Sequence, residues 1–140
     1  MIFIDNQLLN TQFYTFSDGV LINDNTSFMD FASVSYTPVS ATSKLLIEYH
    51  AAYTISSGMV SSWRSKLVID GDQITWRDQT PVTSEGGGTR SGVLFPISMV
   101  YTNSNITART IKAQAARLDA EGTLSVDTIS AYLRVSEFAM

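Results

Sequence analysis

Apolar and polar side chains alternate along much of the chain. In the run KLLIEYHAAY, Leu45, Ile47 and Tyr49 fall on one face of an extended backbone, while Glu48 and His50 fall on the other. The runs GVLFPISMVY and TISAYLRVSEFAM alternate in the same way. Because successive side chains of a strand point to opposite faces, this pattern predicts half-buried β-strands.

Turn-forming sequences separate these runs. In chain order they are SDG, NDN, SSG, DGD, EGGG, NSN and AEG. Many short strands divided by such turns are typical of a β-sandwich or barrel. We therefore predict an all-β fold in a single domain, which 140 residues are enough to build.

One segment also fits a helix. In ITARTIKAQAARLDAEG, Ile111, Ala115 and Leu118 have helical spacing, and many of the residues favour helices. As a strand, the same segment places Ile111, Ala113 and Ala115 on one face. Since tertiary context overrides intrinsic propensity, we favour a strand for residues 106–118.

The N-terminal part of the chain alternates less regularly. Short strands are possible at residues 2–4, 12–16 and 20–22. We predict an N-terminal arm or strand extension over residues 1–29 and a β-sandwich domain over residues 30–140. An arm of this kind can pair with a neighbouring subunit.

Charged residues make up only 16% of the chain, whereas typical soluble domains have about 25%. A surface so poor in charge is expected where copies of the chain, or a large assembly, cover part of it. The net charge of −4 leaves no basic surface for nucleic acid. No apolar run approaches the ~18 residues that cross a bilayer, so we expect no membrane association.

The chain contains no cysteine. Disulfides, thiolate metal ligands and a cysteine nucleophile are therefore excluded. The N-terminal residues MIFIDNQLLN lack the basic region of a secretory signal, so we expect synthesis and folding in a cytoplasm.

Two carboxylates flank a glycine in the sequence KLVIDGDQITW. Asp70 and Asp72, with Asp78 as a third ligand, would suit a divalent cation, but the EF-hand pattern and its distal glutamate are missing. Asp-Gly between two alternating runs is typical of a tight β-hairpin. We therefore favour a turn over a metal site.

No set of residues indicates catalysis. His50 is the only histidine, and no G-x-S-x-G nucleophile motif accompanies the serines. A glycosidase needs a pair of carboxylates, and the sequence pairs none of the glutamates, which are Glu48, Glu85, Glu121 and Glu137. We predict that the chain is not an enzyme, that His50 is structural, and that there is no catalytic residue, metal or cofactor.

Candidate partner-binding residues lie in three segments. The first is the N-terminal segment, and the second follows the SSG turn. The third is the glycine-rich stretch TSEGGGTRSG, which lacks the phosphate-loop pattern but belongs to a long loop of the kind that is often functional. The residues are Ile2, Ile4, Phe13 and Phe16 in the first segment, Trp63 and Arg64 in the second, and Glu85 and Arg90 in the third.

Four segments occur in an order that is found in a known group of proteins. They are SYTPVSATSKLLIEYHAAY, LVIDGDQI, ARTIKAQAA and AYLRVSEF. Together they resemble small jelly-roll domains of tailed bacteriophages, which occur in tail fibres and in capsid decoration (cement) proteins. The matching positions are Pro38 and residues 43–47, 67–74, 111–115 and 133–137.

The resemblance covers roughly residues 32–140 and implies a jelly-roll-like antiparallel β-sandwich that assembles as a homotrimer. We expect a virion structural protein, a capsid decoration protein that binds the major capsid protein at capsomer junctions on the surface of a phage head. The alternatives are a receptor-binding tail-fibre tip and a lectin-like carbohydrate-binding module. The segment AQAARLDAEG departs from the commonest version of the domain, which leaves the strand pairing there open.

Overall fold

The computed structural model describes residues 7–16, 20–22, 27–56, 63–79, 90–93, 97–117 and 123–140. These residues form ten strands, and no helix among them is long and apolar enough to cross a membrane. The strands are β1 (Leu8–Thr15), β2 (Val20–Ile22), β3 (Met29–Tyr36), β4 (Ser43–Ser56), β5 (Trp63–Ile69), β6 (Asp72–Gln79), β7 (Arg90–Val93), β8 (Ile97–Asn103), β9 (Arg109–Arg117) and β10 (Thr123–Ala139).

The strands form two sheets whose described pairings are all antiparallel. In sheet A, the long strands β10 and β4 pair with each other at the centre. Strands β1 and β2 flank successive lengths of β10, and β8 and β7 flank successive lengths of β4. Sheet B has the order β3-β9-β5-β6. The predicted all-β, antiparallel sandwich is confirmed.

The pairing of the strands is nested. Counting β1 with β2 and β7 with β8 as single positions leaves eight positions along the chain. The first position pairs with the eighth, the second with the seventh, the third with the sixth and the fourth with the fifth. An eight-stranded jelly roll in two sheets requires an order of this kind.

The core lies between the two sheets. In β3, β4, β9 and β10 one side-chain parity faces inward, as the alternation predicts. The most deeply buried apolar residues, each exposed by 1% or less, are Leu45, Ile47, Tyr49 and Ala51 of β4, Leu133 and Val135 of β10, Leu67 and Ile69 of β5, and Ile111, Ala113 and Ala115 of β9, with Tyr36 of β3.

The ambiguous segment is a strand. Strand β9 spans Arg109–Arg117 and pairs with β3 on one side and β5 on the other. Ile111, Ala113 and Ala115 are buried on its inner face, whereas Lys112 and Gln114 lie on its outer face. The preference for a strand is confirmed, and the helical spacing has no structural counterpart in residues 109–117.

The N-terminal segment contributes to sheet A. Strand β1 pairs with β10 of the same chain, from Leu8 opposite Phe138 to Thr15 opposite Tyr132. Strand β2 pairs with β10 further along. The possible strand at residues 2–4 lies outside the described residues, and the division of the chain at residue 29 stays a prediction.

Two buried tyrosines provide a matched pair for testing the core. Tyr36 and Tyr49 are each 1% exposed. The hydroxyl of Tyr36 donates to Glu137 Oε2 at 2.6 Å, while that of Tyr49 has no hydrogen-bond partner in the described part of the structure. A buried hydroxyl without a partner destabilises a fold, whereas a hydroxyl bonded to a charged group stabilises it.

Tyr49→Phe is expected to stabilise the protein by about 1 kcal/mol, and Tyr36→Phe to destabilise it by about 2 kcal/mol. Urea unfolding at pH 7 measures both effects. The Phe31 ring lies 5.0 Å from the Tyr49 ring, and this contact survives in Tyr49→Phe. A clear loss of stability in Tyr49→Phe would show that its hydroxyl has a partner after all.

Candidate interaction face

Asp70 and Gly71 form a two-residue hairpin turn between β5 and β6. Ile69 pairs with Asp72 across the turn. The φ angles are 50° at Asp70 and 90° at Gly71. A type I′ turn requires positive φ at both central residues, and Asp-Gly is among its preferred sequences. The prediction of a hairpin at this sequence is confirmed.

The Asp70 carboxylate links the turn to β9 through hydrogen bonds. Its Oδ1 accepts from the Thr110 amide at 2.9 Å, and its Oδ2 accepts from Arg109 Nη1 at 2.9 Å. Burial alone would raise the pKa of Asp70, but these two donors outweigh it and lower the pKa. The described residues hold no group of three acidic, histidine or cysteine side chains that could bind a metal.

Asp70→Ala is expected to lower the free energy of unfolding by about 2 kcal/mol. The substitution removes two hydrogen bonds and leaves alanine in a left-handed conformation that asparagine and aspartate tolerate better. Asp70→Asn is the control, since it keeps the conformational preference and loses the charge; its cost should be about half. Chemical denaturation compares the two, and an equal loss would argue against a conformational contribution.

A buried carboxylate lies at one end of the core. Glu137 of β10 is 0% exposed, and it accepts four hydrogen bonds. The donors are the Tyr36 hydroxyl at 2.6 Å, the Val39 amide at 2.8 Å, the Ser40 amide at 2.9 Å and the Ser43 hydroxyl at 2.7 Å. We call these five residues the Glu137 cluster.

The Glu137 cluster joins the β3–β4 connection to β10. Burial would raise the pKa of Glu137, but the four donors outweigh burial and lower it. The cluster continues outward, because Asn103 Nδ2 donates to the Ser40 carbonyl at 2.8 Å and Arg109 Nη2 donates to Asn103 Oδ1 at 3.0 Å. The carboxylate is enclosed by the fold and its oxygens accept from four donors, so the arrangement indicates a structural role.

The outer face of sheet A is the candidate interaction surface. We define this sheet A face by the outward-pointing residues of four strands. They are Phe13 of β1; Tyr132, Arg134 and Phe138 of β10; Lys44, Leu46, Glu48 and His50 of β4; and Val100 of β8. Phe13 is 59% exposed and Val100 is 54% exposed, which leaves large apolar groups in contact with solvent.

One part of the sheet A face is aromatic. His50 stacks on Tyr132 with ring centroids 4.7 Å apart and 15° between the planes. Phe13 lies on the other side of Tyr132, at 6.0 Å. Arg134 lies 5.7 Å from the Phe13 ring and forms an ion pair with Glu48. His50 is thus a packing residue of this row, in keeping with the predicted structural role.

The other part of the face is an open depression of about 290 Å³. Among the described residues, Lys44, Leu46, Val100 and Phe138 line it. No ion pair or hydrogen bond of the Lys44 ammonium group is found in the described ranges. The described lining therefore combines three apolar side chains with one ammonium-bearing side chain.

The outer face of sheet B is different. Asp30 accepts from Lys112 at 2.8 Å and from Gln114 at 2.5 Å. The Lys112 hydrogen bond and, to a lesser extent, the Gln114 bond lower the pKa of Asp30, although burial opposes them. The Lys66 ammonium group lies 4.0 Å from the centre of the Phe28 ring. On β3 and β9 and at Lys66 of β5 this face is polar and internally paired, whereas the sheet A face exposes large apolar groups among the described side chains.

Of the predicted partner-binding residues, Phe13, Phe16 and Arg64 have described side chains. Phe13 lies on the sheet A face, whereas Phe16 is partly buried against the core. Arg64 is half-buried in β5. Trp63 and Arg90 lie in β5 and β7, with only their backbone described, and Ile2, Ile4 and Glu85 lie outside the described residues. None of this tests whether these residues bind a partner.

Sequence reasoning recognised only Phe13 of the sheet A face and missed the apolar residues that line its depression, namely Leu46, Val100 and Phe138. A signal was present, because each is a large apolar residue at a position whose parity points away from the core. Such positions normally carry polar side chains in a sheet with one solvated face.

No protein-family model and no curated protein sequence matches the chain. Among solved structures, it is similar to the structure of the infectious bursal disease virus Gx strain, with 15% identity and a TM-score of 0.51. That match covers 92% of this chain and 32% of the viral chain. The chain thus spans about a third of the viral chain's length, and the likeness shows a shared fold.

Two further structures match at lower similarity. Dimeric latent PorU from Porphyromonas gingivalis is 11% identical with a TM-score of 0.43, over 94% of this chain and 13% of that one. The carbohydrate-binding module CBM36 in complex with calcium and xylotriose is 16% identical with a TM-score of 0.39, over 94% and 93% of the two chains.

Proposed function

We propose that this chain is a jelly-roll structural protein of a tailed-bacteriophage virion, and that it acts as a homotrimeric decoration protein of the head. The nested strand order supports the jelly-roll part of the proposal. The resemblance of four sequence segments to phage domains supports the viral part. The observation that carries the assembly is the exposed apolar surface of sheet A, with Phe13 59% exposed and Val100 54% exposed.

Burial of the sheet A face explains why the chain has so few charges. Monomeric soluble proteins rarely expose apolar patches larger than a few hundred Å². Three copies around an axis would remove Phe13 and its neighbours from water, and closed symmetry limits the assembly to a defined size. Without cysteine, such an assembly gains its strength from buried area rather than from disulfides.

A decoration protein acts without chemistry. It would sit on the capsid surface at junctions between capsomers and bind the major capsid protein across them. The added buried area would resist internal pressure on the shell. The proposal includes synthesis in the host cytoplasm and no nucleic acid, membrane or cofactor as partner.

Light scattering tests the assembly first. Three chains of 15.4 kDa give a mass of about 46 kDa for the proposed trimer. Co-sedimentation of the purified trimer with phage heads that lack it then tests decoration, with tail fractions as the control. A stable monomer contradicts the trimer, and binding to bacterial cells rather than to heads selects a tail-fibre tip.

A carbohydrate-binding role is the second candidate. The row formed by Phe13, Tyr132 and His50 places aromatic groups beside the Arg134–Glu48 ion pair. Aromatic groups next to hydrogen-bonding side chains are what sugar-binding surfaces use. Titration with bacterial surface polysaccharides tests this role: binding that Tyr132→Ala abolishes supports it, and no heat of binding contradicts it.

A further inference from the structure

Two connections between the sheets meet at one end of the sandwich. They are the β3–β4 connection, residues 37–42, and the β8–β9 connection, residues 104–108. Asn103 Nδ2 bridges them, because it donates to the Ser40 carbonyl at 2.8 Å and to the Asn105 carbonyl at 2.6 Å. We call these two connections together the loop end.

The loop end is uncharged and exposes apolar side chains. Its two sequences are TPVSAT and SNITA. Val39 is 63% exposed and Ile106 is 61% exposed. They directly adjoin Ser40 and Asn105, whose carbonyls share the Asn103 amide group. Two aliphatic side chains on neighbouring loops are therefore in contact with solvent at this end of the sandwich.

Hydrogen bonds within the chain fix the backbone of the loop end. The Val39 and Ser40 amides donate to the Glu137 carboxylate at 2.8 Å and 2.9 Å. The Thr107 amide donates to Asn105 Oδ1 at 2.9 Å. Because the backbone on either side of Val39 and Ile106 is already held, little conformational entropy is lost when a partner covers these side chains.

The charges beside the loop end argue against an anionic partner. The Arg109 guanidinium group is paired with Asp70 and donates to Asn103 Oδ1, while Asp72 is exposed on the adjoining turn. Nucleic acid and anionic membranes are bound through basic groups, and neither loop sequence contains one. An uncharged apolar surface suits the centre of a protein–protein contact, where charged residues are depleted.

We propose that the loop end is the surface through which the protein contacts the capsid shell, with Val39 and Ile106 buried against an uncharged, apolar patch of the major capsid protein. The inference rests on the proposed virion function, and it leaves the sheet A face to join the copies to one another. Equivalent points around a threefold axis lie at the same height, so a trimer presents three loop ends to the shell together. Three linked contacts bind more tightly than one.

Val39→Gln combined with Ile106→Gln is the test variant. Both side chains are exposed, and the Val39 amide keeps its bond to Glu137, so the variant should fold and assemble as the wild type does. Ser33→Gln combined with Thr110→Gln is the matched control, because it adds the same two side chains at exposed positions of sheet B. Light scattering and urea unfolding check the mass and stability of both variants.

Co-sedimentation with phage heads that lack the protein measures binding. The test variant is expected to bind at least about 30-fold more weakly than the wild type, and the control should bind equally well. Wild-type binding that the test variant retains overturns this inference and leaves the proposed function standing, whereas no binding of the wild type to heads overturns both. A test variant that no longer forms the trimer overturns the inference, as does wild-type binding to phosphatidylcholine or phosphatidylglycerol vesicles that the test variant loses.

Discussion

Glu137→Ala is expected to cost at least about 4 kcal/mol of stability. The carboxylate accepts four hydrogen bonds while 0% exposed, and two of the donors are backbone amides that cannot turn elsewhere. A buried donor left without an acceptor costs about 1–3 kcal/mol. Glu137→Gln keeps the size but replaces one acceptor oxygen with a donor, so we expect a loss of about 2 kcal/mol.

Glu48→Gln is the control for these variants. Glu48 lies on the sheet A face and pairs with Arg134, where its side chain is 20% exposed. Partly exposed ion pairs contribute about 1 kcal/mol or less. Denaturant unfolding at pH 7 ranks the three variants. If Glu137→Ala cost no more than Glu48→Gln, the Glu137 cluster would not hold the β3–β4 connection.

The same cluster predicts how stability depends on pH. The pKa of Glu137 lies below its ordinary value of 4.5, so the folded state binds a proton there more weakly than the unfolded state does. The contribution of the Glu137 carboxylate to the free energy of unfolding is complete above about pH 4.5, and it is lost as the pH falls through the folded-state pKa.

Glu137→Gln should therefore lose less stability than the wild type between pH 5 and pH 3. Some acid dependence should remain, because the pKa values of Asp30 and Asp70 are also lowered. Urea midpoints measured across this range test the prediction. Parallel profiles for the two proteins would contradict it.

Local sequence patterns were sufficient to predict much of the fold. The period-2 alternation identified β4 and β10, and Asp70-Gly71 identified the hairpin, because both depend on residues close together in the chain. The β9 segment was harder, since Ala113 and Ala115 favour helices by themselves. Their burial between the sheets decides in favour of the strand, as tertiary context overrides propensity.

The Glu137 cluster was not predicted. Glu137 has the same parity as Leu133 and Val135, so the pattern placed a carboxylate on the core side of β10. The sequence did not show which groups would satisfy it, because the Val39 and Ser40 amides lie almost a hundred residues away along the chain. Hydrogen-bond partners set by long-range strand pairing are not visible in a local pattern.

The candidate interaction face was predicted only in part. Phe13 was recognised as a candidate, whereas Leu46, Val100 and Phe138 were not. Their outward direction was readable from the alternation, but the way they converge depends on the register of β10, β4 and β8. The pairing of strands in the sheet therefore determines which outward apolar residues form one surface.

Phe13→Glu is expected to dissociate the proposed trimer. Phe13 is 59% exposed and its ring is tilted against that of Tyr132 at 6.0 Å, so its replacement leaves the core intact. In the proposed interface, the substitution would put a carboxylate in every copy at a position where an aromatic group is buried. A buried aromatic anchor of this kind contributes about 2 kcal/mol or more to binding, which is about 30-fold in affinity. Light scattering should show the mass fall from about 46 kDa to 15.4 kDa.

Two controls make this result specific. Thr110→Glu places the same charge on the polar outer face of sheet B and should leave the mass unchanged. Ser33→Glu does the same at an exposed position of β3 and should also leave the mass unchanged. If either control dissociated the trimer as fully as Phe13→Glu, the loss of mass would not be specific to the sheet A face.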